Sequence, residues 1–325
     1  MTAISTDRLV TVFGGSGFLG RHIVRALAKD GWRIRVAVRR PHTAHFLLPM
    51  GRVGQIQLVK ANVLNEADVG AALRDAQAAV NLVGILVQRG AQKFLPVHAQ
   101  AAECIARTAK AAGVERLVHF SAIGASAGAP ARYFQTKAEG ENRVRAAFPD
   151  ATVVRPALVF GPEDDFFNRF AALARLTPFV FPLFGGGATR FQPVFAGDVA
   201  RAVSAILTGP AAAGKTFELA GPEVMTFRQV LELVLRETHR KRHLLSLPLW
   251  LAKVQGALLQ ILPRPILTLD QARMLATDTV KAPGTPGLAE LGITPTAAEA
   301  IVPSYLWRFR PRGQFEPAGR RATTT

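Results

Sequence analysis

A single cysteine, Cys104, stands among the 325 residues, which excludes an intrachain disulfide and suits a reducing compartment. Tyrosine is nearly as scarce, with 2 in the chain. Acidic residues are short as well: 23 Asp and Glu face 40 Lys and Arg, leaving a net charge of +17. That excess favours an acidic partner, whether nucleic acid, anionic lipid or a phosphorylated ligand. Nucleic acid is disfavoured, because the basic residues are scattered and there is neither an aromatic ribonucleoprotein signature nor a Cys/His finger. No His/Cys/Asp cluster has metal-ligand spacing, so no metal is expected. The first apolar run, Leu9 to Phe13, is too short and too early for a signal peptide, and it leads straight into glycines.

What is present reads as a globular chain, 49% hydrophobic and 19% charged, long enough for one large domain with a smaller appendage. Leu9 to Phe13 is β-branched and apolar, and an amphipathic stretch from Phe18 to Asp30 follows, stopped by Gly31. Further strands are expected at Arg33–Val38, Ile56–Lys60, Ala78–Leu82, Arg116–Ser121 and Thr152–Val154, with helices at Phe94–Ala112 and Tyr133–Phe148. Alternating β and α segments with near-continuous apolar strands imply an α/β fold, a doubly wound parallel sheet of Rossmann type covered on both faces. The expected division is a nucleotide-binding domain over 1–160, with 190–220 returning to it. A smaller interleaved C-terminal domain takes 161–189 and 221–307, and a basic, flexible tail 308–325. Helices are expected at Asp198–Leu207 and Thr226–Thr238, the latter capped by Thr226.

Gly14, Gly17 and Gly20 carry the spacing of a dinucleotide phosphate loop, here between a strand and a helix as the chemistry requires. Glycines let the backbone turn tightly and approach a pyrophosphate, whose charge the helix N-terminus favours. Gly14, Ser16, Gly17, Phe18 and Gly20 are the candidate contacts. NAD-preferring folds place an acidic residue at the end of the second strand, roughly 20 residues past the loop. Arg39 and Arg40 stand there instead, and a guanidinium pairs with a 2′-phosphate that a carboxylate would repel, so NADP(H) is the expected cofactor. Asn62 and Val63 are placed to meet the adenine, and Asn81 to Gly84, with Val83 and Gly84 foremost, to line the cofactor channel, which Pro156 borders.

Tyr133 and Lys137 form a Tyr-x-x-x-Lys pair at the start of a helix, with Ser121 ending the preceding strand. The spacing puts both side chains on one helical face, where an ammonium can lower a phenol's pKa and hold a ribose while serine orients a carbonyl. Two readings stay open: a reductase triad, or residues that only hold the nicotinamide end of a bound cofactor. His119, inside an apolar strand, reads as a core histidine. His22 and His98 face helical surroundings and suggest nothing stronger. Arg236, Arg240, Lys241, Arg242 and His243 precede Leu244–Leu262, too polar and broken for a membrane span. Ser246, Lys253 and Gln260 recur opposite Leu251, Val254, Leu258 and Ile261, so an amphipathic helix is expected there. It suits anionic lipid, a partner subunit or the small domain equally.

The Gly14 loop, Asn81–Gly84, Tyr133–Lys137, Val153-Val154-Arg155-Pro156 and Phe160-Gly161-Pro162 resemble the extended, atypical short-chain dehydrogenase/reductases. Within them, Pro49–Ile56, Arg132–Glu141, Phe160–Phe166, Gln192-Pro193-Val194 and Leu288–Ile293 are similar to the nucleotide-binding accessory subunit of respiratory complex I, NADH:ubiquinone oxidoreductase. The likeness runs from about Val10 to Thr294. It implies a structural, non-redox NADP(H) in a subunit docked on complex I peripheral-arm subunits near the membrane and the quinone site. Arg39 matches the family's arginine beside the adenosine phosphate, while Asn62 stands where the family often has Asp. With no transit segment before the first strand, the expected place is the cytoplasmic face of a bacterial inner membrane, peripherally bound. The alternatives are a free-standing NADP-dependent oxidoreductase, epimerase or dehydratase using Tyr133, Lys137 and Ser121, or an accessory protein in quinone biosynthesis.

Overall fold

The computed structural model describes residues 8–209, 212–248, 250 and 268–315. Its centre is a seven-stranded, all-parallel sheet. The strands are β1 (Leu9–Phe13), β2 (Arg33–Val38), β3 (Ile56–Lys60), β4 (Ala78–Asn81), β5 (Arg116–Phe120), β6 (Thr152–Pro156) and a last strand, Thr216–Leu219. Their order is β3-β2-β1-β4-β5-β6 followed by Thr216–Leu219, the doubly wound order of the Rossmann fold. All five residues of β1 are buried, as a central parallel strand covered on both faces must be. Alternate side chains divide between two cores. Val10 and Val12 pack with Ile23, Val24, Leu27, Val199 and Val203. Phe13, on the other face, packs with Val69, Leu73, Ile105, Leu117 and Val144. The helices supplying these are α1 (Phe18–Lys29), α2 (Glu66–Leu73), α3 (Ala101–Ala111) and α4 (Arg132–Ala147), with Val199 and Val203 from the later helix Ala196–Thr208. The helices expected at Phe18–Asp30 and Tyr133–Phe148 are present as α1 and α4.

The strand order reverses between β1 and β4, so the crevice outside their carboxyl ends is where an open α/β sheet accepts a ligand. After β6 come α5 (Phe167–Leu176) and α6 (Ala196–Thr208), and α6 packs on α1 before the chain adds Thr216–Leu219 in parallel to β6. The last helix of this run is α7 (Phe227–Glu237). Thr226 caps it in a capping box: the Gln229 N–H donates to Thr226 Oγ1 at 3.2 Å, and Thr226 N–H donates to Gln229 Oε1 at 2.7 Å. Phe166, Phe167, Phe170, Phe191 and Phe227 meet edge-on beneath it and give the C-terminal part its own aromatic core.

Two sequence expectations need correction. Leu244 onward does not begin a helix: His243–Leu247 is a strand, parallel to Val180–Phe184. Pro248 accounts for this, because a proline disfavours helical backbone at the residue before it and has no N–H to donate. Of the remainder of the expected helix, 249 and 251–262 lie outside the described residues. Within the expected flexible tail, Arg308 and Arg310 are also held, while 316–325 lies outside the described residues. Arg308 donates to the Pro162 carbonyl at 2.8 Å, and Arg310 to the Glu237 carbonyl at 2.9 Å. Among the described residues, no helix is long and apolar enough to cross a membrane.

Candidate functional site

The loop between β1 and α1 opens on the switch-point crevice. Gly14 has φ +79°, a left-handed conformation that glycine adopts without penalty, and its N–H donates to the Ala37 carbonyl of β2. A Cβ on Gly20 would lie 2.6 Å from the Gly15 backbone, so only glycine lets α1 start this close to the loop. Gly17 is the N-cap and has no side chain to accept from the first helical turn. The free N–H groups there, with the positive end of the helix dipole, suit a pyrophosphate. Ser16 and Phe18 are half-buried on either side.

At the end of β2, Arg39 and Arg40 are exposed, with no acidic side chain beside them in the sequence. Arg39 meets the side chain of Gln92, whereas the Arg40 carbonyl serves the local turn by accepting from Thr43. Asn62, exposed at the end of β3, accepts from the Leu64 N–H at 3.2 Å, and Val63 beside it is half-buried. Asn81, at the end of β4, is buried and does two jobs. Its Oδ1 accepts from Val83 N–H at 3.0 Å, which fixes the backbone leading to Gly84, and its amide nitrogen meets His119 Nδ1 at 3.1 Å.

The side of the crevice beyond β4 gathers around Gly84. A Cβ there would lie 3.3 Å from Lys137 Nζ and 3.8 Å from His98 Nε2. Lys137 is buried and donates to the Phe120 carbonyl at 2.9 Å. Burial brings its ammonium down to about 8, partly offset by Glu141 one turn on. Tyr133, half-buried, lies edge-on to His98 and Phe94. Burial pushes its phenol up to about 12. Ser121 is buried, and its Oγ has no hydrogen-bond partner. Pro156 is joined to the segment after Ser121 by the Ile123 N–H, which donates to the Pro156 carbonyl. The structure thus brings Tyr133, Lys137 and Gly84 together around His98.

His98 was underrated by the sequence reading. It lies in a π-turn, Pro96–Gln100, at the start of the helical run leading into α3, a distortion that recurs at functional sites. Its Nδ1 meets Thr136 Oγ1 at 2.9 Å, and its Nε2 accepts from the Ile85 N–H at 3.1 Å. The ring therefore ties the segment following β4 to α4. Gly140 makes this possible, because a Cβ there would lie 2.3 Å from the His98 carbonyl oxygen. Burial, with Lys137 nearby, lowers His98 to about 3 and keeps it neutral. His119, as expected, is a core histidine held neutral by burial. His22 lies 3.4 Å from Glu163, at the junction with the C-terminal part.

Asp270 was also missed. Ala131, the N-cap of α4, offers no side-chain acceptor, and Asp270 supplies one from the helix Leu269–Leu275. Its carboxylate accepts from the N–H groups of Arg132 at 2.8 Å and Tyr133 at 3.1 Å. Nothing in the local sequence announces a cap borrowed from so far along the chain.

NADH dehydrogenase (ubiquinone) 1 alpha subcomplex subunit 9 of Arabidopsis thaliana is 33% identical over 317 residues, covering 94% of this chain and 79% of the relative. This chain belongs to that family. Residues 14–166, the span that holds the loop, crevice and α4 described above, match an NAD(P)H-binding family model. A ceramide reductase of Caulobacter vibrioides is 36% identical over 156 residues, 48% of each chain. An NADPH-bound quinone oxidoreductase from Escherichia coli shares the fold, with a TM-score of 0.71 at 20% identity over 92% of this chain and 99% of that one.

Proposed function

We propose that this member of the subunit-9 family is an NADP(H)-holding accessory subunit of respiratory complex I. It assembles with peripheral-arm subunits near the quinone site, on the cytoplasmic face of a bacterial inner membrane. Membership of a complex I subunit family over 94% of the chain supports the assembly. The unoccluded first turn of α1 and the glycines around it fit a bound dinucleotide. Gly14, Ser16, Gly17, Phe18 and Gly20 would hold the pyrophosphate, Arg39 and Arg40 the adenosine phosphate, and Asn62 and Val63 the adenine. Val83, Gly84, Tyr133, Lys137 and Pro156 would hold the nicotinamide end.

Bound NADP(H) supplies a hydride when a carbonyl and a proton donor meet it. The structural role of the cofactor draws support from the Tyr133–Lys137 pair: Lys137 donates to the Phe120 carbonyl at 2.9 Å, and burial raises the Tyr133 phenol to about 12, whereas a reductase tyrosine uses a lowered pKa. That observation carries the structural reading of the cofactor. The second reading, a short-chain reductase, draws on the Tyr133–Lys137 pair and on the half-length match to a ceramide reductase.

Purification from native membranes with analysis of released nucleotide separates the two. Complex I subunits recovered together with NADPH that does not exchange during washing is the expected result. A protein that oxidises NADPH with a carbonyl substrate, and loses that activity in Tyr133→Phe, would overturn it.

A further inference from the structure

Arg39 does not stand alone at the end of β2. The segment after β4 crosses the sheet and presents Gln92 to it. With the amide turned so that its carbonyl faces the guanidinium, Gln92 Oε1 accepts from Arg39 Nη2 at 2.9 Å and from Nη1. Arg39 follows β2 and Gln92 follows β4, and β1 lies between those strands. All three run parallel, so the contact joins the two banks of the switch-point crevice above the Gly14–Gly20 loop.

The segment carrying Gln92 is built to hold this position. At one end His98 accepts from the Ile85 N–H, and at the other Phe94 is buried and stacks on the His98 ring with centroids 5.3 Å apart. Between them Gln88 Oε1 accepts from the Phe94 N–H at 3.0 Å. Arg89 and Gln92 exchange both backbone hydrogen bonds, 3.0 and 2.8 Å, around a turn in which Gly90 takes φ +50°. Gln92 is therefore presented on a braced turn.

We infer that Gln92 is a specificity-determining residue for the cofactor, acting by positioning Arg39; the inference rests on the NADP(H) reading above. A guanidinium has five N–H donors in a rigid plane, and one amide oxygen occupies part of the fork while leaving the others for a phosphate. The choice of amide over carboxylate matters. Glutamine orients the guanidinium without neutralising it, so the full positive charge stays available to a 2′-phosphate. Glutamate at the same position would hold the guanidinium as well but would cancel its charge and repel the phosphate. The selectivity for NADPH over NADH thus belongs to the pair Arg39–Gln92, contributed from opposite sides of β1.

The test is the near-isosteric Gln92→Glu in the full chain, with NADPH and NADH binding measured by titration. NADPH affinity should fall about tenfold, the scale of one charge-assisted hydrogen bond. NADH affinity, which does not depend on the 2′-phosphate, should stay within twofold by the same arithmetic, about 0.4 kcal/mol. In an Arg39→Ala background, the neutral Gln92→Ala should have little further effect on the ratio of the two, whereas with Arg39 present it should lower the ratio, a coupling that a purely structural role for Gln92 would not predict. A wild-type chain with no preference for NADPH overturns the Arg39 reading and this inference with it. A wild-type preference that survives Gln92→Glu, or a variant that loses both nucleotides equally, overturns the inference alone.

Discussion

His98 and His119 are neutral because burial makes an imidazolium costly, and each is lowered from an ordinary 6.5 to about 3. The unfolded chain binds protons at these rings as pH drops below 6.5, whereas the folded chain does not until about 3. Their contribution to stability is thus fully present above 6.5 and is lost progressively as pH falls toward 3. Urea unfolding followed from pH 7.5 to 4.5 (about the accessible range before general acid unfolding) should show stability declining toward acid, and His98→Gln should flatten that decline. An unchanged slope in the variant would show that His98 is not titrating in this way. Arg39 makes the second prediction at this scale. Arg39→Asp should weaken NADPH by at least about tenfold, as expected for losing a charge-assisted pair, and NADH far less. Equal losses in a calorimetric titration would refute the assignment of the 2′-phosphate to Arg39.

At the scale of elements, the N-terminal half was legible because its signals are local. Strands of the central sheet appear as apolar runs, since both faces are covered, and α1 and α4 appear as amphipathic periods closed by Gly31 and Pro149. Tyr133 and Lys137 were found by helical spacing, and Gly14–Gly20 by lying between a strand and a helix. His98 was invisible as a site residue because its role depends on a π-turn and on Thr136 and Ile85, which only the fold brings to it. The strand His243–Leu247 was misread because its pairing partner, Val180–Phe184, lies far back in the chain, and pairing rather than period decides such a segment. Asp270 is the most distant case, 138 residues from the Arg132 N–H it accepts. Its removal is predicted to uncap α4: Asp270→Ala should cost about 0.5–2 kcal/mol, the range for losing a helix cap. A circular-dichroism melt measures this, and a Tm equal to wild type would mean the cap contributes nothing.

For the whole molecule, the question is what binds the C-terminal part to the nucleotide-binding sheet. Asp164 is one answer. It is buried, and its carboxylate accepts from the N–H groups of Gly161, Phe166 and Asn168 and from the Tyr305 hydroxyl at 2.7 Å. Burial holds its pKa above the usual carboxylate range, and those donors offset part of the rise. The loop leaving β6 is thereby fastened to the helix near the C-terminal end of the described chain. Tyr305→Phe keeps the ring in its apolar cluster and removes only the hydroxyl, so the loss should be about 1–3 kcal/mol for a buried donor to a charged group. Equilibrium unfolding in urea reads this directly, and a variant as stable as wild type would show that the backbone donors alone satisfy Asp164.

The cap on α4 also has a consequence in time. A ribosome makes the chain from its N-terminus, so Arg132 and Tyr133 are synthesised 138 residues ahead of the carboxylate that finishes their helix. Until the segment carrying Asp270 emerges, a nascent chain can assemble the sheet and the glycine loop but must leave the first turn of α4 open. The crevice around Tyr133, proposed to take the nicotinamide end, is therefore finished only then, and a chain truncated before Asp270 would carry the glycine loop with the first turn of α4 uncapped.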